Sequence, residues 1–159
     1  MKQITITEYY QNDHLRLDKL FDLYSTLKHS DSLKAKSSFQ EFKIGLQRHI
    51  VWEENILFPV FEKKTNIVTG GPIQVMKQEH RQIKQYLESI HEKVKNNDFN
   101  TDSLEKEILS VLSQHNLKEE NILYPYIDKL TNKDEKNEIF IAMDELPKEA
   151  YEHCCSGNH

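Results

Sequence analysis

The chain has 159 residues, of which 30% are charged and 37% apolar, with a formal net charge of −5. That length is enough for one domain with a real core. The acidic balance excludes an electrostatic role against nucleic acid or an anionic membrane surface, and no apolar run approaches the ~20 residues of a membrane span.

Only four glycines and four prolines punctuate the chain, and its apolar residues recur at helical spacing, which predicts an all-α soluble protein. Thr7 is expected to cap a first helix reaching about His29, with Tyr10, His14, Leu17, Phe21 and Tyr24 on one face. After a turn over 30–32, a second helix carries Phe39, Phe42, Leu46, His49, Glu53, Ile56 and Val60 on one stripe. Thr69-Gly70-Gly71-Pro72 breaks the pattern, and Pro72 suits the first turn of a third helix bearing Ile73, Met76, His80, Ile83, Leu87, Ile90 and Val94. Past Asn96-Asn97-Asp98, a fourth helix from about Thr101 presents Leu104, Ile108, Val111, His115, Glu119 and Ile122. Residues 135–146 are expected to add a short extra helix. Four amphipathic helices with short connections predict an up-down-up-down antiparallel four-helix bundle over residues 1–150, followed by a polar tail, 151–159.

Pro59 and Pro125 interrupt helical patterns and should kink or end their helices. Kinks are expected, because apolar residues continue on the same face. The two cysteines, Cys154 and Cys155, are adjacent in the tail and cannot staple the core. Together with an N-terminus that lacks an apolar signal stretch, this gives a reducing, cytoplasmic compartment as the expectation. His153-Cys154-Cys155 has donors for a soft metal or for a vicinal disulfide, although such ends are more commonly only disordered.

The phrase His-x-x-x-Glu-Glu-Asn-Ile-Leu-(Phe/Tyr)-Pro occurs twice, from His49 and again from His115, 66 residues later. The same offset relates Asp13-His14 to Glu79-His80, and residues 46–66 match 112–132 at 11 of 21 positions. Each helix pair is therefore one half of a structure with a pseudo-two-fold axis. Histidine and glutamate four apart lie one above the other on a helix face, so His49/Glu53 and His115/Glu119 are each a compact N,O donor pair. Both pairs fall on core-facing stripes, where an ionised carboxylate without compensation is very costly.

A single core histidine is more often a packing residue than a ligand, and a lone His/Glu pair is commonly a surface interaction. Four histidines and two glutamates, all core-facing and all recurring at one offset, are a different matter. A bound metal pair would satisfy both the neutral imidazoles and the anionic carboxylates. Mixed imidazole and carboxylate donors suit iron, manganese or zinc better than calcium or copper(I). Bridging glutamates, terminal histidines and one or two solvent-derived oxo or hydroxo bridges would build a di-iron centre with an open position on each ion. His29 and His91 stand three or more turns from His14 and His80, roughly 16 Å or more, too far to share this site. Glu54 and Glu120 lie ~100° round their helices, either solvated or as partners of a ligand histidine.

At residues 8–130, through Asn12-Asp13-His14, His49 to Pro59, Gly71-Pro72 to His80, and His115 to Pro125, the chain resembles the hemerythrin-like, or HHE cation-binding, family. The resemblance implies a non-haem centre of two iron ions in an up-down bundle, with His14, His49, Glu53, His80, His115 and Glu119 as the ligands. The family's oxygen carriers have a third-helix His-x-x-x-His and a fourth-helix aspartate. Here Lys84 follows His80 by four, and the fourth helix offers Glu119. The pattern is more similar to the symmetric di-iron proteins that repair iron centres after nitric oxide or peroxide stress, and to hemerythrin domains that sense iron and oxygen.

The leading expectation is a protein that binds or senses a small oxidant (oxygen, nitric oxide or peroxide) at an open iron position, with Leu17, Trp52 and Ile83 as apolar neighbours limiting water. The alternatives are a di-iron nitric oxide or peroxide reductase, which needs a redox partner as electron source, and iron storage or delivery for repair of iron–sulfur centres.

Overall fold

A computed structural model describes residues 3–152. Seven α-helices follow in order: α1 (Ile6–Leu27), α2 (Ser32–Trp52), α3 (Phe58–Thr65), α4 (Pro72–Lys95), α5 (Asp102–Lys118), α6 (Tyr124–Leu130) and α7 (Lys133–Glu145). No strand occurs among the described residues. Single π-helical turns, Glu53–Leu57 and Glu119–Leu123, join α2 to α3 and α5 to α6 without a break in the helical backbone. The molecule is thus the expected all-α bundle of four long rods, with α7 added at one end.

The antiparallel order can be read from the burial pattern. Two apolar clusters form the core. Along α1 the chain passes from Ile6 and Tyr10 in one cluster, through His14, to Leu17, Phe21 and Tyr24 in the other. Along α2 and α3 it returns, from Phe39, Phe42 and Leu46 through His49 and Glu53 to Leu57, Phe58 and Phe61. α4 repeats the first direction through His80, and α5 with α6 repeats the second through His115 and Glu119. All six polar residues therefore share one layer between two apolar blocks. Ile139 and Met143 of α7 complete the cluster nearer the termini, where the Tyr10 hydroxyl lies 3.5 Å from Met143 Sδ.

The helix ends differ from expectation in local ways. Thr5, not Thr7, caps α1, because Thr5 and Glu8 form a reciprocal capping box. Thr7 instead lies inside the first turn, and its amide and hydroxyl donate to Asp128 Oδ2 at 3.0 and 2.7 Å. The same device at Asn132 and Glu135 starts α7 two residues earlier than the apolar pattern implied. Pro72 opens α4 as expected. At Pro59 and Pro125 the helices neither end nor merely bend. A proline has no N–H for the carbonyl four residues back, and its ring crowds that carbonyl. A π turn just before each proline absorbs the misfit, with Phe58 N–H donating to Glu53 O and Tyr124 N–H to Glu119 O, five residues back. His153, Cys154 and Cys155 lie outside the described residues. Among the described residues, no helix is long and apolar enough to cross a membrane.

Packing of α1 on α2 is close next to the polar layer. An added Cβ at Gly45 would stand 2.7 Å from Leu17 Cδ2, so glycine lets the helix bearing His14 approach the one bearing His49. At the far end of α1, Lys28 is buried and pairs with Glu105 and Asp102. Ser25 and Thr101 hydroxyls also donate to the Glu105 carboxylate, tying α1 to the start of α5. Burial opposes ionisation of Glu105, but Lys28, Ser25 and Thr101 together hold its carboxyl below the usual value of 4.5. A folded pKa depressed in this way contributes stability above the unfolded value and loses it as pH falls. Lys28→Met should therefore lower unfolding free energy by about 3 kcal/mol in denaturant titrations at neutral pH, since it strands a buried carboxylate. The gap between variant and wild type should close below pH 4.5.

Candidate metal centre

His14 of α1, His49 of α2, His80 of α4 and His115 of α5 are each buried and turn Nε2 toward the bundle axis, where Glu53 and Glu119 are 0% exposed. The histidines form two pairs. His14 and His49 stand with Nε2 atoms 3.1 Å apart and ring centroids at 4.6 Å. The His80 and His115 rings are 4.9 Å apart. Each carboxylate spans both pairs. Glu53 Oε2 lies 3.5 Å from His49 Nε2, and its Oε1 lies 3.0 Å from His80 Nε2. Glu119 Oε1 lies 3.3 Å from His14 Nε2, and its Oε2 lies 3.2 Å from His115 Nε2. The repeat thus yields one compound site rather than two copies of a motif.

Outside this ring stand four more carboxylates, one per imidazole. His14 Nδ1 meets Glu120 at 2.7 Å, His49 Nδ1 meets Asp13 at 2.8 Å, His80 Nδ1 meets Glu54 at 2.7 Å and His115 Nδ1 meets Glu79 at 2.8 Å. A carboxylate only accepts, so each Nδ1 carries the hydrogen, and the ring is fixed with Nε2 inward. Sequence reasoning left Glu54 and Glu120 open between solvent and such a role; the structure gives them the role. It gave Asp13 and Glu79 no part, although their positions ahead of His14 and His80 repeat at the same offset.

Burial alone would push the His49 imidazole down in pKa, yet Glu53 and Asp13 raise it from 6.5 to about 10. The same opposition, with Glu53 and Glu54 prevailing, raises His80 to about 9. Burial likewise works against Glu53, but His49, Glu119 and His80 hold it well below the usual carboxylate range. Protonated imidazoles therefore balance charge when no cation is bound, but they do not satisfy the geometry. Glu53 Oε1, His80 Nε2 and Glu119 Oε2 are buried and make no well-directed hydrogen bond, although Glu53 Oε1 faces His80 Nε2 at 3.0 Å and Glu119 Oε2 faces His115 Nε2 at 3.2 Å. Poorly satisfied buried polar groups are costly, and these converge. Donors of Glu53, His80, His115 and Glu119 lie within 4.8 Å of one another, as do those of His14, His49 and Glu119. The chemistry of this donor set fits bound metal.

Against the other half stands a group that sequence reasoning missed. The Tyr124 hydroxyl donates to Glu53 Oε2 and lies 2.8 Å from Glu119 Oε1, 3.3 Å from His49 Nε2 and 3.5 Å from His14 Nε2. Burial, then the Glu119 and Glu53 charges, push its pKa well above 10. Its counterpart in the first copy is Phe58, whose ring stacks on His80 at 5.8 Å and 10°. In an α-helix, residues five apart point about 140° away from each other. The π turn makes five residues close to one turn, which brings Tyr124 onto the Glu119 face. The visible signal was the one difference within the run from the glutamate pair to the proline, Phe58 against Tyr124.

Beside the imidazoles lies a cavity of about 10 Å³, walled by Leu17, Phe42, Leu46, Ile50, Ile83 and Leu112 as well as by the His/Glu layer. Leu17 and Ile83 are thus at the site. Trp52 is not among the cavity's lining residues; it packs with Tyr9 and Tyr10, under the Arg48 guanidinium at 4.6 Å. His14, Asp18, Leu112 and Asn116 line both this cavity and a solvent-facing groove between α1 and α5.

The family described as Hemerythrin HHE cation binding domain matches residues 5–127. No curated protein and no solved structure matches the chain. The outer carboxylates generate a direct expectation: Asp13→Asn or Glu54→Gln should weaken cation binding about 10- to 100-fold without unfolding the bundle, measured by competition with a chelator. Unchanged affinity in both would show that the imidazoles are oriented by packing alone.

Proposed function

The chain belongs to the hemerythrin HHE cation-binding family, and from that premise we propose that it holds two iron ions and binds or senses a small oxidant: oxygen, nitric oxide or peroxide. His14 and His49 would hold one ion and His80 and His115 the other, with Glu53 and Glu119 positioned to reach both. The observation that carries this reading is the division of each buried carboxylate between two histidine pairs, with three inward atoms making no well-directed hydrogen bond. Iron is favoured over softer-ligand metals by the mixed imidazole and carboxylate set, and paired iron supplies redox change and an open coordination position for a small ligand.

The chain's own residues set what can reach the centre. The apolar wall of Leu17, Phe42, Leu46, Ile50, Ile83 and Leu112 stands against the His/Glu layer and leaves space only on the scale of one water molecule beside it, a setting suited to a small ligand rather than a bulky substrate. Asp18 and Asn116 give this cavity a polar edge toward the groove, a route for small polar species. Asp13, Glu54, Glu79 and Glu120 hold the imidazoles in register and would offset part of the positive charge of a bound metal. Binding of the ions requires Nε2 of His49 and His80 to be free of protons, so loading releases protons.

Protein purified from its own host should contain two irons per chain and change its visible spectrum on exposure to oxygen, nitric oxide or peroxide. Iron-loaded protein that is spectrally silent to all three would overturn the ligand-binding reading. Continued turnover with a reductant and an electron-donating partner would identify a reductase instead, and ready transfer of iron to an acceptor a delivery protein. Glu53→Ala and Glu119→Ala should each lose the two-metal centre, and retention of two irons in either would contradict the bridging assignment.

A further inference from the structure

We propose that Tyr124 gives its phenol oxygen as a fifth protein donor to the ion held by His14 and His49, so that the two metal positions of this protein are chemically unequal. The inference rests on the two-metal reading above and goes beyond its six ligands.

Donors that share one ion at roughly 2.0–2.2 Å and sit side by side in its shell are about 3 Å apart. The neighbouring atoms around this half meet that spacing. His14 Nε2 and His49 Nε2 are 3.1 Å apart, His14 Nε2 and Glu119 Oε1 3.3 Å, and His49 Nε2 and Glu53 Oε2 3.5 Å. The phenol oxygen stands 2.8 to 3.5 Å from Glu119 Oε1, His49 Nε2 and His14 Nε2, and hydrogen-bonds Glu53 Oε2. It thus occupies a corner of the same polyhedron. A residue that merely supported the carboxylates from outside would not also approach both inward imidazole nitrogens.

The other half supplies the control. By the 66-residue repeat, Phe58 occupies the place of Tyr124 and has no oxygen to offer. The carboxylate atoms on that side, Glu53 Oε1 and Glu119 Oε2, face only the His80 and His115 imidazoles and make no well-directed hydrogen bond, whereas Glu53 Oε2 and Glu119 Oε1 are engaged by Tyr124. An ion held by His80 and His115 would therefore have two imidazoles and two carboxylate oxygens but no phenol oxygen. Coordination by Tyr124 exchanges its O–H bond for an O–metal bond, with the proton passing to solvent and no change of oxidation state. Tyr10 does not compete for this role. Its ring packs 4.9 Å from that of Tyr124, but its hydroxyl faces Met143.

The test is resonance Raman and visible spectroscopy of the full chain loaded with ferric iron. Wild type should show a phenolate-to-iron charge-transfer band with enhanced phenolate ring vibrations. Tyr124→Phe, which removes one oxygen and keeps the packing, should lose both while still binding two irons. Phe58→Tyr should add a second phenolate to the opposite ion and intensify the same signals. A wild type with two bound irons and no phenolate vibrations, or a Tyr124→Phe variant with an unaltered spectrum, would overturn the inference while leaving the metal centre intact. A chain that takes up no iron would overturn the metal centre itself, and this inference with it.

Discussion

Two carboxylates withdrawn from water in the middle of an apolar bundle are the constraint on which this structure turns. Glu53 and Glu119 are fully buried. Isolated burial of one ionised carboxylate costs several kcal/mol even after the protein relaxes. Every polar feature of the mid-layer answers that cost. Four imidazoles face the carboxylates, four outer acids hold the imidazoles, and Lys118 and Arg16 pair in turn with the outer Glu79 and Asp13. Charge alternates outward from the axis to the surface in steps. The two apolar clusters above and below then keep water from the layer, which strengthens each interaction inside it.

The paired π turns give the layer its depth. They begin at Glu53 and Glu119 and end two residues before the prolines, so one local irregularity serves two ends. It spares the proline ring a clash, and it moves the next aromatic residue onto the carboxylate face. A continuous α-helix would have pointed Phe58 and Tyr124 elsewhere, leaving the centre open along the axis toward the terminal end of the bundle. As built, the aromatic pair closes that end, and the small cavity lies on the opposite side, toward Leu17 and Ile83.

Duplication explains both the economy of the site and its one departure from symmetry. The six inward donors and the four outer acids obey the repeat in position; Asp13 alone is shorter than its counterpart Glu79. Phe58 and Tyr124 do not obey it in chemistry, and one hydroxyl is enough to make the halves different. The polar edge of the cavity is also one-sided, since Asp18 and Asn116 correspond to Lys84 and Ile50 in the other copy. A symmetric frame therefore carries an asymmetric interior.

The bundle, its antiparallel order and the convergence of six donors were legible in the sequence because each depends on periodicity and repetition, which a helix converts directly into position. An i,i+4 spacing fixes a shared face whatever the tertiary context. The capping boxes were legible too, though Thr5 and Asn132 were passed over for later residues. The roles of Asp13 and Glu79, the displacement of Trp52 from the cavity and the placing of Tyr124 were not legible. Asp13 acts on His49, Glu79 on His115 and Glu120 on His14, all across helix interfaces whose register no local pattern states. Tyr124 was hidden by the assumption of 3.6 residues per turn, which fails over one π turn. The sequence by itself determined which side chains face the axis; only the packed structure decided which of them meet, because that depends on helix register and on a local change of pitch that the proline demands and the hydrophobic pattern does not record.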